Sequence, residues 1–330
     1  MNFTALFNNF LKAHVVVVGD VMLDTYWWGH VDRISPEAPV PIVSLHHKEL
    51  RVGGASNVAL NTAALGAKTT MISLVGADAD GDNLKKLMED NGISTKHMIA
   101  DPKRITTNKT RVMGRNQQMM RIDSEVISDL NIEQEAALIT AFAKCIENEK
   151  VDVVILEDYN KGVLTEKVIS SIIALCKTKK IITAVDPKKK NFLTYQGVDL
   201  FKPNLKEVKE GLNVQQILPN ENSLGDVHDQ LHAALGHSIS LITLSEHGIF
   251  YKGKGASALI PTHVRNIADV SGAGDTVIAV ASLVLATTHN MHLAAEMANI
   301  AGGLVCEEVG TAAINKDKLL AECSALLSIK

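Results

Sequence analysis

The stretch Asp269-Val270-Ser271-Gly272-Ala273-Gly274-Asp275-Thr276 runs directly into the apolar segment 277–286. Gly272 and Gly274 let a backbone approach a ligand closely. The N-terminus of the following helix adds outward N–H groups and a positive dipole end, so the stretch forms an anion cradle. Asp275 falls in the first helical turn beside that cradle. A carboxylate has no use there as a phosphate ligand, but it can take a proton from an attacking hydroxyl. The plainer alternative is that Asp275 caps the helix.

Upstream, short aliphatic runs at 15–18, 70–75, 151–156, 181–185, 198–201 and 239–244 alternate with helical patterns at 55–65, 83–91, 132–146, 166–176 and 225–235. This alternation predicts an α/β fold with a mostly parallel central sheet and helices on both faces. The C-terminal part reads as helical over 273–285, 292–307 and 316–327. Two segments break the rhythm. About 21–46 carries Pro36, Pro39 and Pro41, and about 104–123 is polar and alternating, with a turn at Gly114-Arg115-Asn116. Both read as exposed hairpin-like strands and are expected to form a small β lid over one edge of the main sheet. No repeat or linker divides the chain, which predicts one domain over 1–330.

Composition narrows the function. The 330 residues carry a net charge of −4, which argues against nucleic-acid or membrane surfaces as partners. No apolar stretch approaches the ~20 residues of a membrane span. The first residues lack the basic and apolar pattern of a signal peptide. Four cysteines without a CxxC pair suit reduced thiols. A cytoplasmic protein is expected. Aromatics are scarce, with Phe 7, Tyr 4 and Trp 2. The core is therefore expected to rest on Val, Ile, Leu, Ala and Met. Tyr26, Trp27 and Trp28 stand together in the first lid segment and read as lid packing, a dimer contact or a stacking wall for a ligand.

Several further residues are candidates. Gly19-Asp20 and Asp24 place carboxylates at the C-terminal end of the first strand, where open α/β sheets bind ligands. Gly53-Gly54 opens a helix, and Asn57 one turn later can both donate to and accept from vicinal hydroxyls. Asn204, Lys206 and Glu207 follow Pro203. Asn204 and Glu207 could hold Mg²⁺ against phosphates, although a capping box explains the spacing better. Asp186 ends the 181–185 run, and the triplet Lys188-Lys189-Lys190 after it reads as a solvated face. Arg111, Arg115 and Arg121 on the lid and Lys161 in the loop after 156 are candidate anion ligands. His228 and His232 have metal-ligand spacing but no acidic partner, and an exposed helix accounts for them. There is no Walker A motif and no dinucleotide fingerprint.

The pairing of Gly53-Gly54…Asn57 with Asp269-x-x-Gly272-Ala273-Gly274-Asp275, and with Asn204-x-x-Glu207 between them, resembles the ribokinase family of sugar kinases over essentially the whole chain. Within that family, the segment from Gly19-Asp20 to Tyr26 and the segment Arg33-Ile34-Ser35-Pro36-Glu37-Ala38-Pro39-Val40-Pro41 resemble heptose 7-phosphate kinases of lipopolysaccharide-core synthesis. The resemblance implies ATP-dependent phosphorylation of D-glycero-D-manno-heptose 7-phosphate at O1. Many such relatives carry a fused nucleotidyltransferase domain with a His-x-Gly-His motif, which this sequence lacks, so a kinase-only form is expected.

By the same resemblance, Asp275 is the base and the Gly272, Ala273 and Gly274 amides form the anion hole. Asn204 and Glu207 organise Mg²⁺ and the ATP phosphates, with Lys206 beside them and Glu207 the metal-side residue. Thr243, Ser245 and Gly248 line the nucleotide site, with Asn266 and Asn299 near base or ribose. Asp20, Asp24, Gly53, Gly54, Asn57 and Asp186 lie on the sugar side. Arg111, Arg115 and Lys161 are the expected grip on the 7-phosphate. The family's monovalent cation, K⁺, is implied beside the anion hole, where Asp269 and Ser271 match part of its pattern. A homodimer joined through the lid strands is expected. The rival readings are a kinase for another sugar and a non-catalytic sugar- or nucleotide-binding regulator.

Overall fold

The computed structural model describes residues 2–114, 117–253 and 255–327. Nine strands form the central sheet, in the spatial order Ala256–Ile260, Ile249–Gly253, Ile239–Thr243, Leu200–Phe201, Ile182–Asp186, Val153–Glu157, His14–Gly19, Lys68–Ile72 and Ile93–Ser94. All pairings are parallel except two at one edge, the one within the hairpin Ile249–Gly253/Ala256–Ile260 and the one that attaches it to Ile239–Thr243. The mostly parallel sheet with helices on both faces is the architecture expected. The edge hairpin is not, because its strands are short and half exposed.

Period-2 alternation divides the strand side chains between two cores. Val15, Val17, Val153, Ile155, Ala184, Leu200 and Leu241 join one core with the helices Phe3–Phe10, Ala55–Ala64, Ala273–Thr288 and Met291–Val305. Val16, Val18, Val154, Leu156, Val185, Phe201 and Ile242 join the other with the helices Ile132–Asn148, Glu166–Lys179 and Glu221–Leu235. Helix Ala273–Thr288 is buried continuously from Asp275 to Leu285, as an apolar run without a polar face requires.

Sequence reasoning placed no helix at the N-terminus. Phe3–Phe10 forms one, capped by the Asn2 side chain on Ala5 N–H, and buries Phe3, Leu6, Phe7 and Phe10. The expectation of a core without aromatics needs correcting: every phenylalanine of the chain, including Phe142, Phe192, Phe201 and Phe250, is buried. The run at 70–75 divides into Lys68–Ile72 in the main sheet and Leu74–Gly76, which pairs with Ile99–Asp101.

The lid is a four-stranded sheet in the order Pro41–Gly54, Val21–Ile34, Asn108–Gly114, Gln117–Ser124. Its second strand runs on past the expected end near 46. Antiparallel register with Val21–Leu23 holds Val52-Gly53-Gly54 in the sheet until helix Ala55–Ala64 begins. Within the aromatic triplet, Tyr26 stacks on Trp28 at 5.9 Å, and Trp28 Nε1 donates to Glu49 at 3.2 Å. These two residues pack within the lid.

The register of the central strands fixes the site. Gly19 pairs with Glu157, Glu157 with Asp186, and Val185 with Phe201, which brings Lys202 next in the row. Val18, Leu156, Val185 and Phe201 all enter the second core, so the residues that follow them turn toward the first, where helix Ala273–Thr288 begins. A methyl group on Gly19 would lie 2.0 Å from the Glu157 carbonyl oxygen. Gly19→Ala is expected to destabilise the fold by about 1–3 kcal/mol, read as a lower urea midpoint. An unchanged midpoint would show that the strand end can shift without cost.

Candidate active site

Helix Ala273–Thr288 starts at Gly272, whose φ of 78° lies in the left-handed region and which offers no side-chain cap. The first-turn N–H groups of such a helix are available to an anion. Ala273 N–H, however, donates to Val270 O at 3.3 Å, so this amide of the expected anion hole is engaged within the turn. A Cβ on Gly272 would lie 2.8 Å from Asn57 Nδ2, which explains the glycine.

Asp275 is buried with both oxygens occupied. Tyr159 Oη donates to Oδ1 at 2.7 Å, and Asn57 Nδ2 donates to Oδ2 at 2.8 Å. Burial pushes its carboxyl up to about 6; the Tyr159 and Asn57 hydrogen bonds pull it down, Asp186 pushes it up, and Lys202 pulls it down. Asn57 is therefore in direct contact with Asp275, and Asn61 Nδ2 in turn donates to the Asn57 carbonyl at 2.8 Å.

Beside Asp275 lie Glu157 and Asp186, and one carboxylate oxygen from each of the three comes within 4.8 Å of the others. The three differ in their partners. Asp186 meets Lys202 Nζ at 2.8 Å and Lys188 Nζ at 3.4 Å. Burial raises its carboxyl, but the two lysines more than offset that and hold it below the usual range. Glu157 is fully buried, and neither of its oxygens has a hydrogen-bond partner. Burial, then Asp186 and Asp275, push its carboxyl well above the usual range. A buried carboxyl without a donor costs free energy unless it keeps its proton or meets a cation. This donor set of hard oxygens fits Mg²⁺.

Lys188 corrects the reading of its triplet as a solvated face. Its Nζ lies 2.6 Å from Glu207 Oε1 and 5.5 Å from the Tyr159 ring centroid. Lys189 and Lys190 do lie toward solvent. Glu207 carries out the capping-box exchange with Asn204, at 2.8 and 2.9 Å, while also meeting Lys188. Lys206 points away, its side chain 84% exposed near Glu210, and is not brought into the cluster. Thr243 ends its strand and bridges to Asn204. Ser245 and Gly248 lie in the turn after it, both with positive φ. Asn299 Nδ2 donates to Pro261 O at 2.8 Å, and Asn266 is exposed. Asp269 accepts from Ser271 N–H and O–H and from Gly310 N–H, an arrangement that fixes the loop before the cradle.

On the sugar side, Asp20 differs from expectation. Its carboxylate accepts the backbone N–H groups of Tyr159, Lys161 and Val163 at 2.8, 3.0 and 2.9 Å, so it clamps the 158–163 loop. Burial, then Asp158, push its carboxyl up to about 6 against the pull of those N–H groups. Asp24 pairs with Arg111 at 2.6 Å, which joins two residues expected to bind different ends of a substrate. Gly53 gives room to that pair, since a Cβ there would sit 2.5 Å from Asp24 Oδ2. Gly54 has φ 59°, and its Cβ would lie 2.5 Å from the Asp20 carbonyl. Lys161 pairs with Glu125 at 2.8 Å. Arg115 lies outside the described residues. His228 is buried against Ser240 at 2.8 Å, not on an exposed helix face.

The pfkB family of carbohydrate kinases matches residues 12–318. The chain belongs to that family. The kinase is 42% identical over 305 residues to bifunctional protein HldE of Methylobacillus flagellatus, and 39% identical over 308 residues to that of Aliarcobacter butzleri. These matches cover 92% and 93% of this chain but 62% and 64% of those proteins, so the chain spans under two thirds of the length of the curated relatives it matches. Its fold is shared with phosphofructokinase-2 from Escherichia coli in complex with potassium, at a TM-score of 0.79 and 19% identity, covering 96% of this chain and 99% of that one. Arabidopsis thaliana ribokinase complexed with ribose and ATP superposes with a TM-score of 0.70 at 16% identity, covering 93% and 98%.

Glu157, Tyr159, Lys188 and Lys202 were not singled out from the sequence as site residues. The available signal was position: each stands at or just beyond the C-terminal end of a predicted strand. Tyr159 donates to the ionised form of Asp275 and so favours it. In Tyr159→Phe the acidic limb of kcat/KM, on which activity falls as Asp275 gains its proton, is expected to move up by roughly one pH unit. A limb that stays near pH 6 would show that the hydroxyl does not act on this carboxylate.

Proposed function

We propose that this carbohydrate kinase transfers the terminal phosphoryl group of ATP to O1 of D-glycero-D-manno-heptose 7-phosphate, giving the 1,7-bisphosphate for ADP-heptose and lipopolysaccharide-core synthesis. The observation that carries the reading is Asp275, buried at the mouth of a glycine-capped helix N-terminus with both oxygens oriented by neutral donors. The motifs around Asp20 and Pro36–Pro41, and the identity to the HldE proteins, support the heptose substrate.

In this mechanism Asp275 takes the proton of the sugar hydroxyl as the oxygen attacks in line. Tyr159 and Asn57 keep the carboxylate ionised and aimed. The open amides of the first helical turn receive the negative charge of the transferred group. Lys188 and Lys202 offset the buried carboxylates beside it. Glu157 and Asp186, with Glu207 nearby, would hold Mg²⁺, which would supply charge screening for the phosphates. A K⁺ ion near Asp269 and Ser271 is part of the proposal. The lid excludes water, which would otherwise accept the phosphoryl group. The enzyme works in the cytoplasm as a homodimer, its lids meeting through the outer face that exposes Leu50, Met120 and Ile122.

Two measurements check the reading. ADP release with heptose 7-phosphate should exceed that with ribose or fructose 1-phosphate, and Asp275→Asn should lower kcat by roughly 10²–10⁴-fold while nucleotide still binds. Near-normal turnover in that variant, or a preference for another sugar, contradicts the proposal. For assembly, gel filtration is expected to give twice the chain mass of 35.6 kDa, and Met120→Glu/Ile122→Glu should return the chain to a monomer. A monomer in the unmodified protein rules out the lid-mediated dimer.

A further inference from the structure

The two longest strands of the lid, Val21–Ile34 and Pro41–Gly54, pair along almost their whole length, but their ladder slips twice. It skips His46, between His47 opposite Trp28 and Leu45 opposite Gly29. On the other strand it skips Asp32, between Val31 opposite Val43 and Arg33 opposite Ile42. Such bulges re-aim a side chain at the expense of a ladder position. Here both extra residues reach the same histidine. His46 Nε2 faces His30 Nδ1 at 2.5 Å, with the rings stacked at 4.4 Å, and the Asp32 carboxylate meets His30 Nε2. Gly29 lets the strands close up beside them, since a Cβ there would lie 2.6 Å from the Ser44 carbonyl oxygen.

The contacts set the protons. A carboxylate only accepts, so His30 Nε2 carries its hydrogen toward Asp32, and in the neutral ring Nδ1 is left with a lone pair. That lone pair points at a second imidazole nitrogen. A carboxylate that fixes the tautomer of one histidine, and a second histidine facing its free nitrogen, is the donor pattern that holds borderline divalent metals. Two Zn–N bonds of about 2.0–2.1 Å at a tetrahedral angle keep their nitrogens roughly 3.3 Å apart. The rings therefore need to part by less than about 1 Å to admit the ion. They have room to do so: the His30 side chain is 37% exposed, and His46 lies at the surface.

We propose that His30 and His46 form a binding site for Zn²⁺, with Asp32 positioning His30 and water completing the coordination. Imidazole nitrogens select Zn²⁺ over Mg²⁺, which takes hard oxygen ligands. The site is separate from the carboxylates Glu157, Asp186 and Asp275. His30 lies far along its strand from Asp20, on the order of 30 Å at the rise of an extended chain. The ion clips the two strands between their bulges, where the ladder is weakest, and stiffens the outer half of the lid. This inference goes beyond the kinase reading and stands without it.

The test is isothermal titration calorimetry on the full chain, first stripped with a chelator, with ZnCl₂ as the probe and MgCl₂ beside it. The unmodified protein should take up one equivalent of Zn²⁺ more than His46→Ala or His30→Ala, or bind that equivalent about 100-fold or more tightly than they do. Asp32→Asn should keep the stoichiometry and weaken binding by roughly 10–100-fold. Equimolar Mg²⁺ should not displace the ion. Amide hydrogen exchange gives an independent readout: Zn²⁺ should slow exchange across residues 28–46 in the unmodified protein and not in His46→Ala. Absence of Zn²⁺ uptake overturns the inference. So does uptake that is undiminished in both histidine variants, which would place the ion on the buried carboxylates or the cysteines. Displacement by equimolar Mg²⁺, or exchange across 28–46 that Zn²⁺ leaves unchanged in the unmodified protein, overturns it as well.

Discussion

The site depends on one row of parallel-strand register. Gly19, Glu157, Asp186 and Lys202 follow one another across the sheet at its C-terminal edge, and all turn to the same face. The row forces two carboxylates side by side in a place that water does not reach. Asp275 arrives from the helix above as a third. At low dielectric such a cluster cannot hold three free negative charges. The protein answers with two lysines, a tyrosine and an asparagine, and leaves Glu157 without a donor. What remains unbalanced is the part of the site that a cation-bearing nucleotide can complete.

A second constraint links the ends of the site. Asp20 spends its carboxylate on three backbone N–H groups and thereby fixes the 158–163 loop. That loop delivers Tyr159 to Asp275 and Lys161 to the lid. The lid itself is not a loose flap in its sequence origins, since the strand Pro41–Gly54 enters helix Ala55–Ala64 directly, two residues before Asn57. Displacement of the lid would be felt at Asn57, and through it at Asp275. The lid strand, Asn57 and the Asp275 carboxylate are therefore parts of one mechanical unit.

Much of this was legible in the sequence, for physical reasons that differ by element. Buried parallel strands need aliphatic runs, so their places and the α/β class could be read from Val15–Val18 and its counterparts. The glycine-rich entry to an apolar helix marked Asp275. Partnerships were not legible. Asp24 and Arg111 each have the chemistry of a ligand group, and only the parallel pairing of their strands shows that they neutralise one another. Glu157 looks like an ordinary acid after Leu156 until register sets it against Asp186. Lys188 looks like part of a solvated run, and the fold turns it inward while its two neighbours stay out. The N-terminal helix escaped because its phenylalanines carry no strong helix signal until a core exists for them to enter.

In the proposed reaction the Asp275 end of the site directs a phosphoryl group to the anomeric oxygen of a sugar phosphate. The most direct check is phosphorus and carbon NMR of the product formed from ATP and heptose 7-phosphate. The expected product shows a second phosphorus resonance coupled to C1, with the phosphate at C7 intact. A new phosphate at any other carbon, or ATP consumed with the sugar unchanged, contradicts it.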